Sequence, residues 1–81
     1  KEYLEESLES MGFHTVPSKA NFLFTKHPGI DAKTLFIALK EHKILVRWFD
    51  GPIQSEYIRI SVGTMMEIKK LIKVLSEIIA N

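Results

Sequence analysis

The stretch Tyr57-Ile58-Arg59-Ile60-Ser61-Val62-Gly63-Thr64 constrains this chain more than any other. Ile58, Ile60 and Val62 alternate with Tyr57, Arg59 and Ser61, so it reads as a strand with one apolar and one polar face. Gly63 then offers a backbone conformation closed to other residues, which suits a tight turn. Thr64-Met65-Met66-Glu67 has the form of a capping box and starts a helix. Arg59, a cation in mid-strand between two isoleucines, fits only by pointing away from the core. What that opposite face meets becomes the question.

The rest of the chain supplies partners for this strand. Glu2 to Met11 forms an amphipathic helix with Leu4, Leu8 and Met11 on one stripe, and Gly12 stands where a C′ glycine belongs. Phe13 to Val16 is a short extended piece, and Pro17-Ser18 turns the chain. Asn21 to Thr25 is a second strand, with Phe22 and Phe24 expected on the core face and Asn21, Leu23 and Thr25 on the other. His27-Pro28-Gly29 breaks the pattern. Asp31 caps a helix to about Glu41, whose Ala32, Leu35, Phe36 and Leu39 fall at buried-stripe spacing. Ile44 to Trp48 is a third strand, Phe49 to Glu56 a loop turning at Gly51-Pro52. From Met65 to Ile79 runs the longest helix, with Met65, Ile68, Ile72, Leu75 and Ile79 in line and Leu71 and Ile78 beside them.

This order predicts an α+β domain: a small three- to four-stranded sheet with three helices packed on one face. The unit from Asn21 to Trp48 predicts parallel strands joined by a right-handed crossover, provided that both share the sheet. Phe22, Phe24, Ile44, Val46, Ile58, Ile60 and Val62 are expected to face the helices. Asn21, Arg47, Tyr57, Arg59 and Ser61 are expected on the open side.

Composition narrows the function. Eighty-one residues, 46% hydrophobic and 26% charged, make one small domain. A chain of this size buries roughly 60–65% of its unfolded surface, enough to fold with little reserve. Without cysteine, disulfides and cysteine-ligated metals are excluded. No run approaches the roughly 18–20 apolar residues of a membrane span, so no membrane partner is expected. A net charge of +1 with dispersed Lys and Arg argues against nucleic acid. The chain opens at Lys1-Glu2-Tyr3 without an initiator Met and is expected to be a piece of something longer.

Two readings of the open face compete. Arginines on the wet side of a one-sided sheet are commonly just solvated, and spacing alone favours that reading. Alternatively, two arginines with an asparagine and a tyrosine can clamp an anion, since guanidinium forks match carboxylate and phosphate oxygens in pairs. Nothing else looks catalytic. His14, His27 and His42 lack metal spacing and read as surface residues. Met11, Met65 and Met66 read as core filler, and Trp48-Phe49 as core or an interface anchor.

The elements Pro17-Ser18-Lys19-Ala20-Asn21-Phe22-Leu23-Phe24, Ile44-Leu45-Val46-Arg47-Trp48-Phe49 and Tyr57 to Thr64 carry a resemblance. In order and spacing the whole chain resembles the C-terminal small domain of histidinol-phosphate aminotransferases. That resemblance implies a single domain, 1–81, belonging to a longer pyridoxal-phosphate enzyme of the aspartate-aminotransferase fold. Such an enzyme is a cytoplasmic homodimer that moves an amino group between histidinol phosphate and glutamate in histidine biosynthesis. It implies substrate-binding roles for Arg59, at the anionic end of the substrate, and for Arg47, at the phosphate, with Asn21 as a possible brace. The open face would close over the large domain's active site. The Schiff-base lysine and the cofactor's ligands belong to that large domain, so no cofactor, metal or catalytic residue is expected in this stretch and no turnover from it alone.

Two positions depart from the family pattern. Relatives carry Gly where Lys43 stands, so His42 or Lys43 is expected to take the strained conformation at a cost of about 1 kcal/mol. Met65-Met66 replace a proline or acidic residue. Threonine-phosphate decarboxylase or another fold type I pyridoxal-phosphate aminotransferase is the near alternative. A free-standing small-anion-binding module is the distant one. A nucleic-acid-binding sheet would want exposed aromatics on the open face, where only Tyr57 is expected.

Overall fold

In the computed structural model, residues 2–16 and 20–80 are described. They form α1 (Glu2–Ser10), β1 (His14–Val16), β2 (Phe22–Lys26), α2 (Ala32–Glu41), β3 (Arg47–Trp48), a 3-10 turn (Gln54–Glu56), β4 (Ile58–Ser61) and α3 (Met65–Ala80). The sheet order is β1-β2-β4-β3 and every neighbouring pair is antiparallel. Because β2 and β3 both oppose β4, they run parallel to each other, as the crossover requires. β4 is inserted between them. Leu4 and Leu8 of α1, Leu35 and Leu39 of α2, and Leu71 and Leu75 of α3 share one core with Leu23, Ile58 and Ile60. The sheet is thus covered on one side and open on the other. The Pro17-Ser18 turn lies outside the described residues.

The helix ends show how local chemistry sets these boundaries. After α1, Phe13 N–H donates to Leu8 O at 3.0 Å and Gly12 N–H to Glu9 O at 3.0 Å. This is the Schellman pair of bonds, and Gly12 adopts the φ of 91° that it needs. The end of α2 repeats the pattern. Ile44 N–H donates to Leu39 O and Lys43 N–H to Lys40 O, both at 2.9 Å. Here Lys43 takes the left-handed position, at φ 63°. A side chain is strained in that region by roughly 1–2 kcal/mol. At the other end of α2, the Asp31 carboxylate accepts from Thr34 N–H at 3.3 Å.

α3 begins with the expected capping box. Thr64 N–H donates to Glu67 Oε1 at 2.9 Å, and Glu67 N–H to Thr64 Oγ1 at 3.2 Å. Gly63 departs from expectation, since the left-handed glycine is Gly12 and Gly63 has no positive φ. A Cβ on Gly63 would stand 2.5 Å from Glu67 Oε1. Its place is fixed by room for the capping carboxylate. Met65 and Met66 are exposed at 52% and 84%, not core filler, because the buried stripe begins one turn later at Ile68. Val74 joins that stripe in place of Met65, and Met11 packs against the core from its margin.

β2 has the opposite face inward from that expected. Leu23 and Thr25 are fully buried, whereas Phe22 and Phe24 are half-buried on the open side. Alternation by itself permits either face; pairing decides it. Leu23 lies opposite Ile60 and Thr25 opposite Ile58, so they share the face of the two buried isoleucines. The Thr25 hydroxyl meets Thr15 Oγ1 at 2.9 Å and donates to His14 O at 3.3 Å, which lets it stay inside. Phe22 and Phe24 pack edge to face at 5.6 Å on the other side. Only Arg47 and Trp48 of the expected third strand pair with β4; Ile44 to Val46 lead up to them, with Val46 buried.

Candidate functional site

Burial of Ile58 and Ile60 sends Arg59 to the open face, and burial of Val46 with the inward packing of Trp48 does the same for Arg47. Register then makes them cross-strand partners: Arg47 is paired with Arg59, beside Phe24 paired with Arg59 on the other flank. Like charges directly opposite each other repel. A carboxylate would be the usual remedy, yet among the described residues the ion pair present is Lys26–Glu56, at 3.4 Å. Aromatic rings surround the arginines instead. The Arg59 guanidinium lies 4.9 Å from the Phe22 ring centre and 5.3 Å from that of Phe49. Arg47 lies 5.7 Å from the same Phe49 ring.

Arg59 Nε is buried and has no hydrogen-bond partner among the described residues. An unused buried donor costs free energy unless a ligand takes it up. Arg47, Arg59 and Ser61, with Lys40 of α2, border a cleft of about 400 Å³. The cleft gathers three cations among the apolar Phe36, Leu45, Val46 and Trp48, with the Arg59 Nε–H donor unused by any described residue. Such donors suit the paired oxygens of a carboxylate or phosphate.

The other predicted positions fall as follows. Asn21 is exposed beside Phe22, and its carbonyl accepts from Val62 N–H at 2.8 Å, tying the start of β2 to the end of β4. Tyr57 is half-buried with Lys26 5.0 Å over its ring. Trp48 packs against the core and its indole N–H donates to Ser55 O at 2.9 Å. His14 and His42 are exposed, but His27 is half-buried and built in. Its Nδ1 accepts from Gly29 N–H at 3.0 Å, leaving Nε2–H to donate to Met11 O at 3.2 Å. Among the described residues no group of three His, Asp or Glu could hold a metal. Phe22 and Phe49 were not singled out for the site from sequence. Pairing β2 with β4 through their buried residues would have put Phe22 beside Arg59.

A three-helix, four-stranded α+β domain with a cationic open face defines the class, and a direct comparison places it. The chain belongs to the family described as aminotransferase class I and II, whose profile matches residues 1–75. Histidinol-phosphate aminotransferase 1 of Oceanobacillus iheyensis is 43% identical over 79 residues, 98% of this chain and 22% of that protein. A decarboxylase from Sulfurospirillum multivorans superposes with a TM-score of 0.81 at 32% identity, over 95% of this chain and 23% of that one. The histidinol-phosphate aminotransferase of Clostridium acetobutylicum shares the fold, with a TM-score of 0.86 at 21% identity over 99% of this chain and 25% of that one. The chain therefore spans about 22% of the length of the curated relatives it matches.

Proposed function

We propose that this chain is the C-terminal, substrate-recognising small domain of a histidinol-phosphate aminotransferase. The whole enzyme would transfer an amino group between histidinol phosphate and glutamate. Support comes from the relatives' identity across nearly the full chain and above all from one observation: Arg47 and Arg59 stand opposite each other with no carboxylate partner among the described residues. Arg59 would grip the anionic end of either substrate through its two-pronged donor set, and Arg47 would add to the phosphate. Asn21 would hold the rim of the face through its backbone bond to Val62.

The family implies pyridoxal phosphate, which supplies the electron sink for amino transfer. The described residues do not fit a site for it. A Schiff-base lysine has to be shielded, whereas the described lysines are exposed, apart from Lys26, which pairs with Glu56. Cofactor and lysine would come from a large domain outside these 81 residues, and this stretch alone would be inactive. The full enzyme would be a cytoplasmic homodimer, as the resemblance to histidinol-phosphate aminotransferases implies.

The alternative reading, a threonine-phosphate decarboxylase, is not favoured by the histidinol-phosphate aminotransferase relatives at 41–45% identity, although one similar structure is a decarboxylase. Both enzymes would grip an anion here, so the reaction must separate them. The full-length protein is incubated with histidinol phosphate and 2-oxoglutarate, and separately with phosphothreonine. Glutamate formation in the first supports the aminotransferase. Carbon dioxide release in the second with no glutamate in the first overturns it.

A further inference from the structure

We propose that Phe49 is a positioning residue for the anion site: its ring holds the Arg47 and Arg59 guanidinium groups in common and fixes them as one binding unit. The inference rests on the anion-binding reading of the two arginines. Phe49 is half-buried, yet it is not among the apolar residues packed on the core, unlike its neighbour Trp48. Among the described residues its ring meets the two cations, at 5.7 Å from Arg47 and 5.3 Å from Arg59. Arg59 has a second ring, that of Phe22. Among the described residues the Arg47 guanidinium has no ion pair or side-chain hydrogen bond, so the Phe49 ring is what engages it.

The physics favours an aromatic residue in this role. A carboxylate would neutralise the pair and compete with the ligand for the same N–H donors. A ring face attracts a guanidinium through its quadrupole and leaves the in-plane donors free. It thereby offsets the repulsion between cross-strand cations without occupying their binding edges. Phe49 immediately follows β3, so the loop that ends the strand also delivers the ring.

The test uses the full-length holoenzyme and two readouts: KM for the phosphate-bearing substrate, and the inhibition constant of inorganic phosphate. Phe49→Leu should raise both by about 5- to 20-fold, with kcat within about twofold and an unchanged Tm. Phe49→Tyr keeps a ring quadrupole and should restore both to within about twofold of the parent. In an Arg47→Ala background, Phe49→Leu should add much less than it does alone, because the shared contact is already gone. If Arg59→Lys weakens phosphate binding while Phe49→Leu leaves both readouts unchanged, Phe49 does not position the arginines and the inference falls alone. Should neither Arg47→Lys nor Arg59→Lys change them, the anion-site reading fails and takes the inference with it. A lowered Tm with intact constants, or failure of Phe49→Tyr to restore them, would assign Phe49 a structural role only.

Discussion

Arg47 and Arg59 are directly opposed across adjacent antiparallel strands, and no described carboxylate lies within ion-pair distance of either. A sheet tolerates such a pair when something else engages it, here the rings of Phe22 and Phe49. Because no described residue takes up the Arg59 Nε–H donor, the pair has the arrangement that the proposed anion site requires.

In the full-length enzyme, Arg59→Lys keeps the charge and loses the planar fork. A charge-assisted hydrogen bond contributes roughly 1.5–3 kcal/mol, so losing one should lower kcat/KM by about 10- to 100-fold. Both half-reactions should suffer if, as proposed, both substrates present an anion to the same group. Arg47→Lys should act more mildly and chiefly on the phosphate-bearing substrate. Steady-state kinetics beside a thermal melt decide the matter. Unchanged kcat/KM for both substrates would make Arg59 a solvated or structural residue.

Lys43→Gly should stabilise the fold. The Schellman bonds at the end of α2 match those at the end of α1, where a glycine already occupies the left-handed position. Relief of the strained φ is partly offset by the greater freedom of glycine in the unfolded chain. The expected gain is about 0.5–1 kcal/mol, read as a shifted urea midpoint at constant slope. Destabilisation would mean that Lys43 makes contacts worth more than its strain.

His27→Ala should cost about 1–3 kcal/mol, although His27 takes no part in the site. It removes the acceptor of Gly29 N–H and the donor to Met11 O, together with an edge contact to Phe13 at 5.0 Å. The bond to Met11 and the Phe13 contact fasten the end of α1 to the loop after β2, and the bond from Gly29 holds that loop's own turn. Denaturation should show the loss while KM for the phosphate-bearing substrate stays put. A wild-type midpoint would mean that water replaces both bonds at no cost.

What could be read from sequence was whatever local rules or an anchored alternation determine. Asp31, Gly12, Lys43 and the Thr64–Glu67 box sit at helix ends, where a few consecutive residues fix the chemistry. Arg47 and Arg59 could be assigned to one face because each has buried neighbours in its own strand. The face of β2 could not, since Phe-Leu-Phe-Thr alternates equally well either way up and only its register with β4 chooses. Phe49 was read as core or an interface anchor and not as part of the site for the same reason: it meets Arg47 and Arg59 through a cross-strand geometry that no spacing rule contains. Gly63 was assigned the right importance for the wrong cause, because its crowding comes from a side chain four residues further on.

That crowding gives a prediction whose sign depends on background and whose size depends on pH. A Cβ at position 63 would meet Glu67 Oε1 at 2.5 Å, so Gly63→Ala must push the carboxylate out of the capping box. The carboxylate is the movable end of a side chain, and the cost is therefore loss of its bonds to Thr64 rather than a clash in the backbone. Those same bonds, from the Thr64 N–H first and its hydroxyl second, hold the Glu67 carboxyl below its ordinary value of 4.5. A carboxylate with a depressed folded pKa adds stability that is complete above the unfolded value and is lost as pH falls through the folded one. Hence Gly63→Ala should destabilise at pH 7, and the deficit against the parent should shrink as the pH is taken below about 4.5. With Glu67→Ala already in place the box is gone and Gly63 has no positive φ to protect. Gly63→Ala should then become neutral or stabilise by about 0.4–1 kcal/mol, through the reduced freedom of the unfolded chain. Four denaturation curves at neutral pH, repeated at acid pH, make the comparison. Equal costs of Gly63→Ala with and without Glu67 would show that the glycine answers to some constraint other than the cap.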